Sequence, residues 1–296
     1  MLGQLVTMVS EARRGGRALG AFNAETWEMA YVIVAAAERV GAPVALQFTE
    51  KTLQVYDERR LLGAMRTLAA DARVPVALHL DHAKTAEDAL GRLHVGFTSL
   101  MVDGSAHPFR ENVRITREVV AEAHRAGLAV EGEIGHVGRD GEPDTLSRLT
   151  EPEEAQAFVE ETGVDLLAVA IGTRHGHVRT HGDLDLERLG EIARVCPVPL
   201  VLHGGSGVPD EVLARATSLG MGKFNVGTEL RKTYLQAAQE ATANDVRTKV
   251  AYAMAALGEV VERRLRSLGW RYSDRKQGSC PAPPPSLRPR LKKHPR

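Results

Sequence analysis

His82, His175 and His203 each end or follow an apolar run of the 296-residue chain. Imidazole is the commonest protein ligand for transition metals. Three of them, delivered from three separate strands, leave a tetrahedral zinc with one open position, which is the arrangement of a catalytic site rather than a structural one. Acids stand in comparable places. Asp81 directly precedes His82 where the run 76–80 gives out, Asp103 closes SLMVDG (99–104), and Glu133 lies in LAVEGEIG (128–135). A single histidine is more often a hydrogen-bonded core or loop residue than a ligand, so the weight rests on the group. In RHGHVRTH (174–181) His175, His177 and His181 crowd together. An HxH pair chelates metal by itself, so spacing leaves His177 as an alternative to His175.

Side chains on separate strands meet only if the fold brings the strand ends to one place. Short apolar runs predict eight strands: 19–23, 43–48, 75–81, 99–104, 128–135, 165–172, 199–205 and 223–228. Between them lie stretches with apolar residues every three or four positions, such as 26–40 and 111–127, the latter closing on Gly127. Strands alternating with helices call for a parallel sheet. Eight such units with no GxGxxG after the first strand predict a closed (β/α)8 barrel, an α/β fold whose active site stands at the C-terminal mouth of the strands. The polar residues fall at that mouth: Asn23 at strand one, Asp81 and His82 at three, Asp103 at four, Glu133 at five, His175 after six, His203 in seven and Asn225 in eight.

HGGSG (203–207) at strand seven and NVGT (225–228) at strand eight have the composition of a phosphate cradle. Glycines let backbone N–H groups approach an anion, and a barrel's common phosphate site lies in the loops after these two strands. A lone GGSG is usually only a turn; its place in the barrel order carries the reading.

Lys and Arg together number 38, as do Asp and Glu, so no net field draws the chain to nucleic acid or an anionic membrane, and a small-molecule partner is expected. Two cysteines, Cys196 and Cys280, cannot form a disulfide framework and show no CxxC spacing. No apolar stretch has signal-peptide or membrane-span length, which predicts a soluble cytoplasmic protein. Residues 1–270 are expected to form the barrel with C-terminal helices. Residues 271–296 are expected to be a tail, since the stretch 277–296 is rich in proline and basic residues and has no acid.

The motifs AFN (21–23), HLDH (79–82), MVDGSAHPFREN (101–112), EGEIG (131–135), TEPEEA (150–155), AVAIGTRHG (168–176), LVLHGGSG (200–207) and KFNVGTEL (223–230) occur in this order. With them the chain resembles the class II, metal-dependent ketose-bisphosphate aldolases, from about residue 5 to 265. The resemblance implies that His82, His175 and His203 hold a catalytic Zn2+. It implies Asp81 as proton donor and acceptor at the substrate C4 hydroxyl. It also places the phosphate of dihydroxyacetone phosphate on Gly176, Gly204, Gly205, Ser206, Asn225, Val226, Gly227 and Thr228, with a monovalent cation, Na+ or K+, nearby. Asn23, on the same rim, is taken as a further substrate contact. Asp103 and Glu133 fall where the family has acids beside the metal, sometimes holding a second divalent ion; orienting a ligand histidine is the alternative. A homodimer or homotetramer is expected. Gly227 stands where many fructose-specific members carry an acid, which leans toward the tagatose branch, and an arginine for the second phosphate is not assignable from the sequence.

The implied reaction is reversible cleavage of a fructose or tagatose bisphosphate to dihydroxyacetone phosphate and an aldehyde such as glyceraldehyde 3-phosphate. Cleaving the C3–C4 bond leaves a carbanion beside a ketone, which needs a Lewis acid on the carbonyl oxygen. In the reverse direction a second base must take the carbon proton, and Glu142, on the glycine-bearing loop 135–149, is the expected group. Three rivals remain. A metal-dependent hydrolase could use the same histidines to activate water, but such barrels normally open with HxH on strand one, where this chain has Asn23. A Schiff-base aldolase needs a lysine inside the barrel, and only Lys223 lies in a predicted strand, at its bottom end. A catalytically silent barrel would not need the acids, histidines and glycine loops together.

Overall fold

A computed structural model describes residues 1–135, 148–173, 184–242 and 244–271. A helix, α1 (Leu5–Arg14), precedes the first strand. Then come β1 (Leu19–Asn23), α2 (Trp27–Val40), β2 (Val44–Thr49), α3 (Glu50–Leu53), α4 (Glu58–Asp71), β3 (Val76–Ala83), α5 (Ala86–Leu90) and β4 (Ser99–Val102). The second half runs α6 (Phe109–Arg125), β5 (Ala129–Ile134), α7 (Pro152–Thr162), β6 (Leu166–Val169), α8 (Leu186–Val195), β7 (Leu200–Leu202), α9 (Asp210–Ser218) and β8 (Met221–Val226). Two helices, α10 (Thr228–Glu240) and α11 (Val246–Ser267), complete it. Every strand pairs in parallel with its sequence neighbour, and β8 closes back onto β1.

Local chemistry sets the element ends. Thr26 caps α2 by accepting from the Met29 N–H, and Gly41 ends the same helix in the left-handed conformation that spares a Cβ clash. The outward faces of the strands meet the helices in one apolar layer that includes Phe22, Leu46, Leu78, Leu100, Val130 and Phe224. A second, smaller apolar cluster fills the barrel floor. There Leu5, Met8 and Val9 of α1 meet Leu19, Ala21, Ala45, Ala77, Leu166, Ala168 and Val201, so α1 plugs the bottom of the barrel.

The strand residues that fill the floor and those of the rim obey one alternation. Leu19 and Ala21 lead to Asn23, Ala45 to Gln47, Ala77 to His79 and Asp81, and Val201 to His203. Because successive side chains point to opposite faces, an apolar floor and a polar rim can be written into the same inward-facing register.

The barrel and its eight strands match the sequence reading, with boundaries moved by at most three residues. The strand holding Lys223 starts earlier than expected, at Met221, so this lysine is not at the strand's bottom end but well inside the barrel, and fully buried. The stretch 277–296 lies outside the described residues. No described helix is long and apolar enough to cross a membrane.

Candidate active site

His82 is the only described non-glycine residue with positive φ, at 59°. It sits where the pairing of β3 with β4 shifts register between Leu80 and Ala83. In a regular strand Asp81 and His82 would face opposite sides of the sheet. The bulge and the left-handed residue rotate the second side chain back, so His82 Nε2 comes to 3.9 Å from Asp81 Oδ1. A left-handed conformation costs a non-glycine residue on the order of 1–3 kcal/mol. The surroundings hold it there: His82 Nδ1 bonds Asp103 Oδ2 at 2.8 Å, and its ring meets the His203 ring edge-on at 4.7 Å.

Asp81 is held from the opposite side. Its Oδ2 accepts from Asn23 Nδ2 at 2.8 Å and its Oδ1 from Gln47 Nε2 at 2.7 Å, with Asn225 Nδ2 at 3.5 Å. Burial works against ionisation here, but the charges on His82, His203 and Lys223 outweigh it and hold the carboxyl below the usual aspartate range. The result is a buried, oriented carboxylate between three amides and an imidazole.

Below this rim lies a fully buried polar layer. His203 Nε2 bonds Glu131 Oε1 at 2.9 Å, and Lys223 Nζ bridges Glu131 Oε2 and Asn225 Oδ1 at 2.8 Å each. His79 Nδ1 pairs with Ser99 Oγ at 2.9 Å. Burial, and then the Lys223 charge, lower the His79 pKa to about 3, so this imidazole is neutral. The neighbouring His203 goes the other way. Burial disfavours its charged form, yet the charge of Glu133 beside it, with the bond to Glu131 and that carboxylate's charge, pushes its pKa up to about 10. Two carboxylates flank one ring, and the space between them favours positive charge.

That space fits a metal ion. Ligand atoms of His82, Glu133 and His203 lie within 4.8 Å of one another. Glu133 Oε2 is buried, 3.2 Å from His203 Nδ1, and has no hydrogen-bond partner among the described residues. A buried anionic oxygen without a donor is costly unless a cation satisfies it. One nitrogen of each imidazole is held by a carboxylate, Asp103 on His82 Nδ1 and Glu131 on His203 Nε2, as in sites where outer acids fix the tautomer of a ligating histidine. A mixed imidazole and carboxylate donor set suits zinc or a similar divalent ion.

The loops after β7 and β8 interlock beside this cluster. Gly205 N donates to Asn225 O at 3.0 Å, and Ser206 Oγ accepts from the N–H groups of Gly227 and Glu229 at 3.3 and 3.1 Å. Both glycines are required by contact. A Cβ on Gly205 would stand 2.8 Å from Asn225 O, and one on Gly227 would stand 2.5 Å from Asn23 Oδ1. The N-terminus of α10 opens at Gly227, so backbone N–H groups and a helix dipole converge on this corner of the mouth.

Among the residues singled out from sequence, Asn23, Asp81, His82, Asp103, Glu133, His203, Gly204, Gly205, Ser206, Asn225, Val226, Gly227 and Thr228 stand together at this mouth. Asp103 is not in the tight cluster of ligand atoms; it reaches the His82 ring instead. His175, His177, Gly176 and Glu142 lie outside the described residues. Three groups went unread: Gln47, which grips Asp81; Glu131, which grips His203; and Lys84, which bonds Asp103. Gln47 and Glu131 carried a signal. Each is a polar residue in an apolar strand, two positions from another inward-facing one.

Comparison with known proteins follows the same line. The sequence profile of the family described as class II fructose-bisphosphate aldolase matches residues 4–271. A fructose-bisphosphate aldolase of Thermus caldophilus is 40% identical over 297 residues, covering 88% of this chain and 96% of that protein. Among solved structures, the YdjI aldolase of Escherichia coli K12 superposes with a TM-score of 0.83 at 32% identity, covering 92% of this chain and 98% of that one. A fructose-bisphosphate aldolase of Campylobacter jejuni, 22% identical, shares the fold with a TM-score of 0.79 over 92% of this chain and 96% of its own. A family match running nearly the length of the barrel, joined to a relative this similar over almost its whole length, means that the chain belongs to the class II fructose-bisphosphate aldolase family.

Proposed function

We propose that the protein cleaves and forms a ketose 1,6-bisphosphate, fructose or tagatose, exchanging it with dihydroxyacetone phosphate and an aldehyde such as glyceraldehyde 3-phosphate. The observation that carries this reading is Asp81. It is a buried carboxylate, locked by Asn23 and Gln47, 3.9 Å from an imidazole of the metal-suited cluster. Such a group can take the C4 hydroxyl proton as the C3–C4 bond opens and return it in condensation. His82 and His203, with His175 from the sequence and Glu133 beside them, would hold a divalent ion, and zinc fits the donor set. Bound there, the ion supplies Lewis-acid stabilisation of negative charge at the substrate's ketone oxygen.

The remaining residues bind and orient. Gly204, Gly205, Ser206, Val226, Gly227 and Thr228 would cradle the phosphate of the three-carbon ketone, with backbone N–H groups and the start of α10 as donors. Gly176 and a monovalent cation would belong to the same corner. Asn225 and Asn23 would touch substrate and hold Asp81 at once. Glu142 would serve as the carbon base. The relative from Thermus caldophilus favours the fructose substrate and Gly227 favours the tagatose one; at position 227, any side chain would push Asn23 aside.

A Schiff-base route is disfavoured by the setting of Lys223. Its Nζ is fully buried and engaged by Glu131 and Asn225, so it is not free to attack a carbonyl. Chelation is therefore expected to abolish retro-aldol cleavage of a ketose-bisphosphate panel, restored by zinc. Borohydride with substrate should leave activity intact, and a trapped lysine adduct would overturn the metal reading.

Glu131 offers a finer check. Glu131→Gln keeps the shape but removes the charge that fixes the His203 ring, and should weaken divalent-ion affinity by about 10–100-fold. Competition against a chromophoric chelator measures this. An unchanged affinity would mean that Glu131 serves Lys223 alone.

A further inference from the structure

We propose that Lys84 is a built-in cation that occupies the outer face of Asp103, holds Asp103 on His82, and limits the site to a single divalent ion. The inference rests on the metal reading above and goes beyond it, because it concerns how many ions the acids can take.

The first observation is the saturation of Asp103. A carboxylate offers about four lone-pair positions on its two oxygens. Asp103 Oδ1 accepts from Ser105 N at 3.2 Å and Ser105 Oγ at 2.6 Å. Asp103 Oδ2 accepts from His82 Nδ1 at 2.8 Å and from the Lys84 ammonium. All four positions are taken by this chain's own donors. Glu133 differs: its Oε2 is buried with no hydrogen-bond partner among the described residues. Of two acids facing His82, one is left for an outside cation and the other is closed.

The second observation is charge. Asp81, Asp103, Glu131 and Glu133 are the buried acids of the mouth, none more than 4% exposed. Among the described residues the ammonium groups bonded to them are two, Lys223 on Glu131 and Lys84 on Asp103. Four carboxylates against two ammonium groups leave two negative charges, which one divalent ion neutralises when its histidine ligands are neutral. Without Lys84 three negative charges would remain, and Asp103 Oδ2 would have an open lone pair 2.8 Å from His82 Nδ1. Buried uncompensated charge is costly and recruits a counter-ion.

Lys84 suits this task. It follows the last residue of β3, so its backbone is fixed by the barrel, while its side chain stays 43% exposed and can be replaced without opening the core. Among the described residues its ammonium bonds Asp103. Lys84 is thus a positioning residue that acts on the ion through Asp103.

The test is divalent-ion stoichiometry on the full chain. Protein stripped by a chelator is titrated calorimetrically with Zn2+ and with Mn2+, and metal content is read by elemental analysis after gel filtration. Wild type is expected to take about one ion per chain, Lys84→Met about two, and Lys84→Arg about one, since the guanidinium restores the charge. The double variant Lys84→Met with Asp103→Asn should return to about one, placing the extra ion on Asp103. Lys84→Met saturating at one ion, Lys84→Arg taking two, or wild type taking two would each overturn the proposal. A second ion that survives in the double variant would overturn it as well. Wild type that takes none would instead overturn the metal reading on which the proposal stands.

Discussion

Asp81→Ala is expected to slow cleavage by about 10² to 10⁴-fold, the usual worth of a positioned acid/base, while retaining the metal ion. The side chain donates nothing to the metal-suited cluster; its contacts are Asn23, Gln47 and Asn225, with His82 at 3.9 Å. The loss should fall mainly on kcat, because the missing interaction belongs to the transition state. Exchange of the dihydroxyacetone phosphate C3 proton with solvent should be far less affected, since it needs a different base. Removing the carboxylate also strands two buried amides, which costs stability. Asp81→Asn therefore serves as the companion variant. It keeps the shape and an acceptor for Gln47 at Oδ1 while removing the base, and only Asn23 loses its acceptor at Oδ2, so a kcat loss shared by both variants with a larger melting change in the first isolates the chemistry. A variant that loses its metal would make Asp81 a ligand support. Exchange falling as far as cleavage would make it the base for both steps.

How much of this site was readable from the chain follows from the period of a strand. The floor and the rim are written in one alternation, and it can be followed by eye: Ala77, His79, Asp81 in β3, or Glu131 and Glu133 in β5. Residues two apart face the same interior. That rule finds Asn23, Asp81, Glu133, His203 and Asn225, and applied without exception it would also have found Gln47 and Glu131. The sequence reading stopped at strand ends and missed the layer beneath. It also set Lys223 at the bottom of its strand, because the run Met221–Val226 begins with a glycine at its second position and reads as starting later.

What the period cannot supply is a break in itself. By alternation His82 belongs on the outside of the barrel, against the helices. Only the shifted register of β3 against β4 and the positive φ turn it inward, and no residue type announces that conformation, since it costs a histidine energy that only tertiary contacts repay. Its place where an apolar run gives out, together with the other two histidines, singled out that residue; the alternation did not. The Asp103 contacts have the same character: one acid closed by four donors and another left open are facts of distance, and the spacing of DHAK and MVDG holds neither.

The same bulge shapes the expected behaviour of His82 variants. His82→Ala should lose the bound ion and reduce turnover by at least about 10³-fold, because Lewis-acid stabilisation is worth several kcal/mol. Alanine would leave the left-handed strain at residue 82 in place while deleting the bond to Asp103 that helps to hold it. Asparagine enters that region at lower cost and offers Asp103 an amide donor. His82→Asn should therefore melt at or above His82→Ala yet bind the ion as poorly, since an amide is a weak ligand for zinc beside imidazole and carboxylate. Metal content and thermal melting, read together, separate the ring's two contributions. If His82→Asn restored both the ion and turnover, the bulge would matter only as backbone geometry; if His82→Ala kept its ion, the cluster with Glu133 and His203 would not be where the metal sits.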